Sequence, residues 1–135
     1  MIHRLTIGHL DPAAVQERRL VVTRPLAMDV VTRLLDEFGK PRPDGRPTLD
    51  TSRVAFHDGY IVCPWLMPYP VPGVTEFALR LQEETGCILA DVSCCVIVDR
   101  EKLLRISRWE PVPVPSDAVA KASDRWHSGL PSPMG

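Results

Sequence analysis

Leu26, Val30, Leu34 and Phe38 recur at every fourth position, widened by Ala27, Val31 and Leu35, while Asp29, Arg33, Asp36 and Glu37 fall between them. That period predicts an amphipathic helix over Pro25 to Phe38, ended by Gly39 in a left-handed conformation. A second helix is expected from Val74, with Val74, Phe77, Ala78 and Leu81 on one face, Glu76 and Arg80 paired on the other, and Gly86 as its stop. Between the two, Val54 to Cys63 alternates around Asp58-Gly59, which predicts a hairpin on a two-residue type I′ turn. That turn fixes the register. His57 then faces Tyr60, Phe56 faces Ile61, Ala55 faces Val62, and Val54, Phe56, Ile61 and Cys63 share the face expected in the core. Cys87 to Val98 is nearly continuous apolar sequence, the signature of a strand buried on both sides, with a bulge or break expected at Asp91-Val92-Ser93.

The remaining elements carry weaker patterns. Met1 to Gly8 reads as a short edge strand, Asp11-Pro12 as the cap and first turn of a helix running to Glu17, and Arg18 to Thr23 as a strand through Leu20-Val21-Val22. Asp99 to Ile106 fits either a short helix capped by Asp99 or the return arm of a hairpin. Taken from Arg18 to Val98, the order is strand, helix, strand, strand, helix, strand. This is the split βαβ, ferredoxin-like pattern of an α+β domain, with two helices on one face of an antiparallel sheet, plus an N-terminal strand and a C-terminal helix. Residues 1–110 are expected to form that single domain. Residues 111–135 are expected to hold a proline-rich connector, a short helix capped by Ser116 with Ala118, Ala122 and Trp126 on one stripe, and a flexible tail.

Composition changes this picture in one respect. Ten of the fourteen prolines cluster at positions 41–47, 64–72 and 111–115, and proline breaks regular elements by removing a backbone donor. The segment Pro64-Trp65-Leu66-Met67-Pro68-Tyr69-Pro70-Val71-Pro72 is therefore expected to be an extended loop whose large side chains cannot all be covered by a regular element, so that Trp65, Leu66, Met67 and Tyr69 either fold back over the open end of the core or form an exposed, proline-stiffened patch. A net charge of −1 and 44% apolar residues describe an ordinary globular chain, with no long-range field to draw a polyanion. No apolar run reaches membrane-span length and no signal-peptide pattern opens the chain, so a cytoplasmic setting is expected.

Four cysteines, at 63, 87, 94 and 95, lie in apolar stretches without a C-x-x-C spacing. They are expected as reduced structural thiols, with Cys94 and Cys95 on opposite strand faces and no metal or other cofactor. Cys63 and His57 fall on opposite hairpin faces, so they cannot form a nucleophile and base pair. Asp91, a lone carboxylate in an apolar strand, is expected to bind backbone amides at the break. The aromatic and basic motif of RNA-binding sheets is absent, as are glycine-rich phosphate loops.

The expectation for function is a small binding or regulatory protein, inhibitor-like or immunity-like, without catalytic activity and acting through a protein partner. Nucleic acid and membrane are not expected as partners. Trp65, Met67 and Tyr69 are the expected contacts, joined by His57 and Tyr60 at the neighbouring hairpin tip. Two other classes fit the same sequence. One is a small enzyme or ligand-binding domain using His57, Tyr60 and Asp91 on the exposed sheet face. The other is a subunit of a homo-oligomer whose exposed aromatics meet their symmetry mates.

Overall fold

The computed structural model describes residues 2–41 and 43–108. The expected connector, helix and tail over residues 111–135, with Trp109 and Trp126, lie outside the described residues. The chain runs β1 (His3–Leu10), α1 (Pro12–Gln16), β2 (Val22–Arg24), α2 (Met28–Phe38), β3 (Ala55–His57), β4 (Tyr60–Met67), β5 (Tyr69–Pro70), α3 (Val74–Thr85), β6 (Ile88–Asp91), β7 (Val96–Ile97) and α4 (Arg100–Ser107). The main path across the sheet is β3-β4-β1-β6-β7, with β2 added to β1 and β5 to β4. Every pairing is antiparallel. The molecule is thus a mixed α+β protein built on one antiparallel sheet.

The N-terminal strand is central, where an edge strand was expected. Leu5 and Ile7 are fully buried on one side of β1, and Thr6 is only 6% exposed on the other. Burial on both sides blurs the alternation that would have marked its place. Conversely, Leu20 and Val21 lie exposed ahead of β2, because Arg18 takes a positive φ of 59° and the amide of Arg19 bonds back to the carbonyl of Ala14. That turn leaves three residues to pair with the end of β1.

The hairpin register is as expected, with His57 opposite Tyr60, Phe56 opposite Ile61 and Ala55 opposite Val62. Its turn is not type I′. Gly59 has a φ of 84°, whereas Asp58 has none of the positive φ that type I′ needs. The carbonyl of Gly59 accepts from the Leu26 amide at 3.0 Å, so the segment entering α2 clamps the turn from outside. Gly39, too, is not left-handed, with φ −81°. It is needed for space, since a Cβ there would stand 2.7 Å from Thr51 Cγ2 and 2.8 Å from the Leu35 carbonyl oxygen.

The helix layer covers one sheet face. Val31, Leu34 and Phe38 of α2, Val74, Phe77, Ala78 and Leu81 of α3, and Leu103 of α4 pack on Leu5, Ile7, Ile61, Cys63, Trp65 and Leu89. Phe38 and Phe77 meet edge to face at 6.2 Å, which joins α2 to α3. Arg80 reaches Glu84 and Glu37 rather than the expected Glu76, and the last pair bridges the same two helices. On the other face α1 covers one corner only, through Leu10, Val15 and Ala90. The continuous strand expected over residues 87–98 is broken where its sequence suggested. A 3-10 turn over Val92–Cys94 separates β6 from β7, and Asp91 caps it. Asp99 caps α4 by accepting from the Lys102 amide at 2.7 Å, which settles that segment as a helix.

Two of the proline-loop expectations change. Pro64 lies inside β4, not in a loop, because β3 pairs with β4 only as far as Val62 and the pairing with β5 starts only at Leu66. The even positions of β4 turn their backbone groups toward β3, so proline's missing N–H falls in the gap. Trp65 is 7% exposed, in the core under the helices. No helix among the described residues is long and apolar enough to cross a membrane.

Candidate functional site

The sheet face opposite the helices is left open beyond α1, and a concavity of about 820 Å3 lies across it. Strand alternation builds its floor. Arg4 and Thr6 of β1, Tyr60, Val62 and Pro64 of β4, and Ala55 and His57 of β3 line the concavity, while their odd-numbered neighbours in β1 and β4 face the helices. Gly8 makes the close approach possible, since a Cβ there would meet Tyr60 Cβ at 2.9 Å. The His57 and Tyr60 rings stack at 4.7 Å with planes 7° apart, forming a flat polar wall.

Two guanidiniums bring positive charge. Arg53, from the 3-10 turn Thr51–Arg53, pairs with Asp50 at 3.6 Å and places Nη1 3.7 Å from Met67 Sδ. Arg4 is exposed, and none of the ion pairs or side-chain hydrogen bonds among the described residues involves its guanidinium. Arg4 and Arg53 carry the positive charge of this lining and were not singled out by sequence reasoning. The signal for Arg4 was its parity with Thr6 on β1, which becomes legible only once β1 is known to be central.

The residues that were singled out divide. His57, Tyr60 and Met67 line the concavity. Tyr69 is 70% exposed at the β4 to β5 turn, outside that lining. Trp65, expected as a surface contact, belongs to the opposite, helix-side core, and its indole Nε1 has no hydrogen-bond partner among the described residues. Phe56, expected in the core, is 54% exposed because β3 is the sheet edge, where Leu35 and Asp36 at the end of α2 stand beside it without covering it. Asp91 shares the concavity with His57 without touching it. The two sit three strands apart in the order β3-β4-β1-β6, about 14 Å at the usual strand spacing.

Asp91 forms a second polar centre at the corner near the start of β1. Its Oδ1 accepts from Ser93 Oγ at 2.7 Å and from the Cys94 amide at 3.3 Å, and its Oδ2 lies 3.2 Å from His3 Nδ1. Burial pushes the carboxyl up, but the hydrogen bonds from Ser93, His3 and Cys94 outweigh it and hold the group below its ordinary range. The backbone-capping role expected of Asp91 is therefore observed. The partnership with His3 was not foreseen, since 88 residues separate the two.

Cys94 Sγ lies 3.7 Å from the same His3 nitrogen. The set of thiol, imidazole and carboxylate does not make a nucleophile relay. A relay uses the two ring nitrogens separately, whereas here Nδ1 faces both partners. Burial and the charge of Asp91 also push the Cys94 thiol up, away from thiolate. Cys94 and Cys95 do not alternate across a strand as expected, because they lie in and after the 3-10 turn, Cys95 with φ 57°. Cys63 is on the far face from His57, and burial pushes its thiol up to about 12. His9, outside the concavity, is held below its ordinary value by burial and by Arg24.

These features define an α+β protein with one closed, apolar sheet face and one open face bearing arginine, stacked aromatics and a buried carboxylate corner. Compared with known proteins, the chain matches no family model, no curated sequence and no solved structure.

Proposed function

We propose that this protein is a small binding domain that takes an anionic organic ligand, a carboxylate or phosphate on an apolar or aromatic body, on the open face of its sheet. The observation that carries this reading is Arg4, a guanidinium without a carboxylate partner among the described residues, set in the floor of a concavity of about 820 Å3. That volume is in the usual range for small-molecule sites, about 300–1,000 Å3, and a guanidinium presents a fork that matches carboxylate and phosphate. The stacked His57 and Tyr60 rings offer a surface for the ligand body, with Val62, Pro64 and Met67 as apolar wall. The strand order β3-β4-β1-β6, with α2 and α3 as the two crossovers, supports a ferredoxin-like, split βαβ arrangement in which β1, not the Arg18 to Thr23 segment, is the first strand. A cytoplasmic setting is part of the proposal, supported by four free thiols.

The test uses benzoate and phenyl phosphate as probes, followed by amide chemical shifts on the full chain. Saturable shifts clustered at Arg4, His57, Tyr60 and Val62, weakened about tenfold or more in a folded Arg4→Ala variant, are expected for loss of a charge-assisted contact. Equal binding by Arg4→Ala, or shifts confined to the helix layer, would overturn the reading. A protein partner remains a second reading because Tyr69 is 70% exposed beside Met67 at the β4 to β5 turn. It requires a partner retained by wild type and lost by a folded Met67→Ser, Tyr69→Ser variant.

A further inference from the structure

We propose that His3, Asp91 and Cys94, at the Asp91 corner of the same open face, form a binding site for a borderline divalent transition ion of the zinc type. His3 Nδ1, a carboxylate oxygen of Asp91 and Cys94 Sγ all lie within 4.8 Å of one another. His3 Nδ1 stands 3.2 Å from Asp91 Oδ2 and 3.7 Å from Cys94 Sγ. A tetrahedral ion with bonds of about 2.0–2.3 Å sets its ligands about 3.3–3.7 Å apart along each edge, so the two edges at His3 already stand at coordination spacing, and the Asp91–Cys94 edge is within 4.8 Å.

The fold brings these donors from three places and fixes two of them. His3 enters at the register shift between His3 and Arg4, where a bulge re-aims a side chain. Asp91 ends β6, and its Oδ1 is held by Ser93 Oγ and the Cys94 amide, leaving Oδ2 to turn toward the ion. Such outer hydrogen bonds orient metal-ligating carboxylates. Cys94 is aimed by the same turn, which closes on the left-handed Cys95.

The geometry at His3 is the part that hydrogen bonding alone explains least. Nδ1 carries at most one proton, and when that proton goes to Asp91 Oδ2 the 3.7 Å approach of Cys94 Sγ to the same nitrogen is left without a hydrogen bond. An ion in the place of that proton satisfies both. With a divalent ion, the Asp91 carboxylate and the Cys94 thiolate leave the corner electrically neutral, which suits a carboxylate whose side chain is 3% exposed. Binding moves the thiol proton of Cys94 to solvent, while the neutral His3 ring keeps its proton on Nε2. The nitrogen and sulfur donors select zinc-type ions over magnesium or calcium. Three protein ligands leave a fourth position for water or an exchangeable group.

Cobalt(II) titration of the untagged, chelator-stripped full chain tests the proposal, with circular dichroism to confirm folding. One equivalent should produce thiolate-to-cobalt charge-transfer absorption, and zinc should displace it. Cys94→Ser should abolish that absorption and His3→Gln should weaken binding by about tenfold or more, while Cys95→Ser leaves both unchanged. The proposal fails if wild type takes up no stoichiometric cobalt, if Cys94→Ser keeps the charge-transfer band, or if Cys95→Ser is the variant that loses it.

Discussion

The two faces of β4 differ more than any two helices of the molecule. Ile61 and Cys63 are fully buried and Trp65 nearly so, whereas Tyr60, Val62 and Pro64, interleaved with them, look into an open concavity. One strand therefore serves two purposes by parity alone. The closed face contributes stability through apolar burial, about 25 cal/mol per Å2. The open face carries groups such as Arg4, which is exposed and makes no ion pair among the described residues. Substitutions on the first should register in folding and those on the second in binding, and this contrast is open to measurement.

Trp65 gives the largest expected effect. Trp65→Ala should cost about 3–5 kcal/mol in denaturant unfolding, the range for deleting a large core aromatic. Trp65→Phe should stay within about 1 kcal/mol of wild type, because it removes an enclosed indole N–H that has no acceptor among the described residues, a group costing about 1–3 kcal/mol. A mild Trp65→Ala would mean that the helix layer does not close over this end of the sheet.

Backbone positions flanking α3 come next and separate conformation from contact. Gly73 and Gly86 both have positive φ, 79° and 70°. A Cβ at Gly73 would stand 2.8 Å from the Leu49 amide nitrogen, while at Gly86 it meets nothing within 4 Å. Gly73→Ala should cost about 1–3 kcal/mol and Gly86→Ala about 1 kcal/mol, both measured by thermal unfolding. Equal costs would show that the segment bearing Leu49 yields.

Asp91 lies at the junction of the two faces and should reveal itself through pH. Its folded pKa is lowered from 3.8, so near that pH the unfolded chain binds more protons and stability rises with pH. The contribution is fully present above the unfolded value and is lost as pH falls through the lower folded one. Asp91→Asn should lose about 1–3 kcal/mol at neutral pH, the range for donors left poorly satisfied, and its stability should fall less steeply in acid than that of wild type. Parallel acid limbs would show that His3, Ser93 and Cys94 do not favour the charged form.

How much of this the sequence disclosed follows from how local each signal is. The face of α3, its Gly86 stop, the hairpin register and the break at Asp91 depend on neighbours a few residues away, and each is found in the structure. The central place of β1 depends on pairing with β4 and β6, some 50 to 85 residues distant. So does the concavity that Arg4 enters. Trp65 was misplaced for a related reason. Prolines on both sides suggested a loop, but the gap between β3 and β5 lets a proline-bearing strand continue under the helices. Of the corner at Asp91, the cap was readable from an isolated carboxylate, and its alliance with His3 was not.

Phe56 carries the smallest expected effect and the sharpest qualification of the contrast. By register it lies opposite Ile61, on the helix side of the sheet, yet it is 54% exposed while Ile61 is fully buried. Parity chooses the face, but cover decides burial, and the end of α2 stands beside Phe56 without covering it. Phe56→Ser should therefore change stability by no more than about 0.5 kcal/mol, against about 2–5 kcal/mol for Ile61→Ala. The comparison is made at two protein concentrations well apart. A loss at Phe56 that approaches that of Ile61, and that grows as the protein is concentrated, would mean that a second copy of the chain covers this edge in solution. The closed face would then extend past the helix layer into an interface between copies.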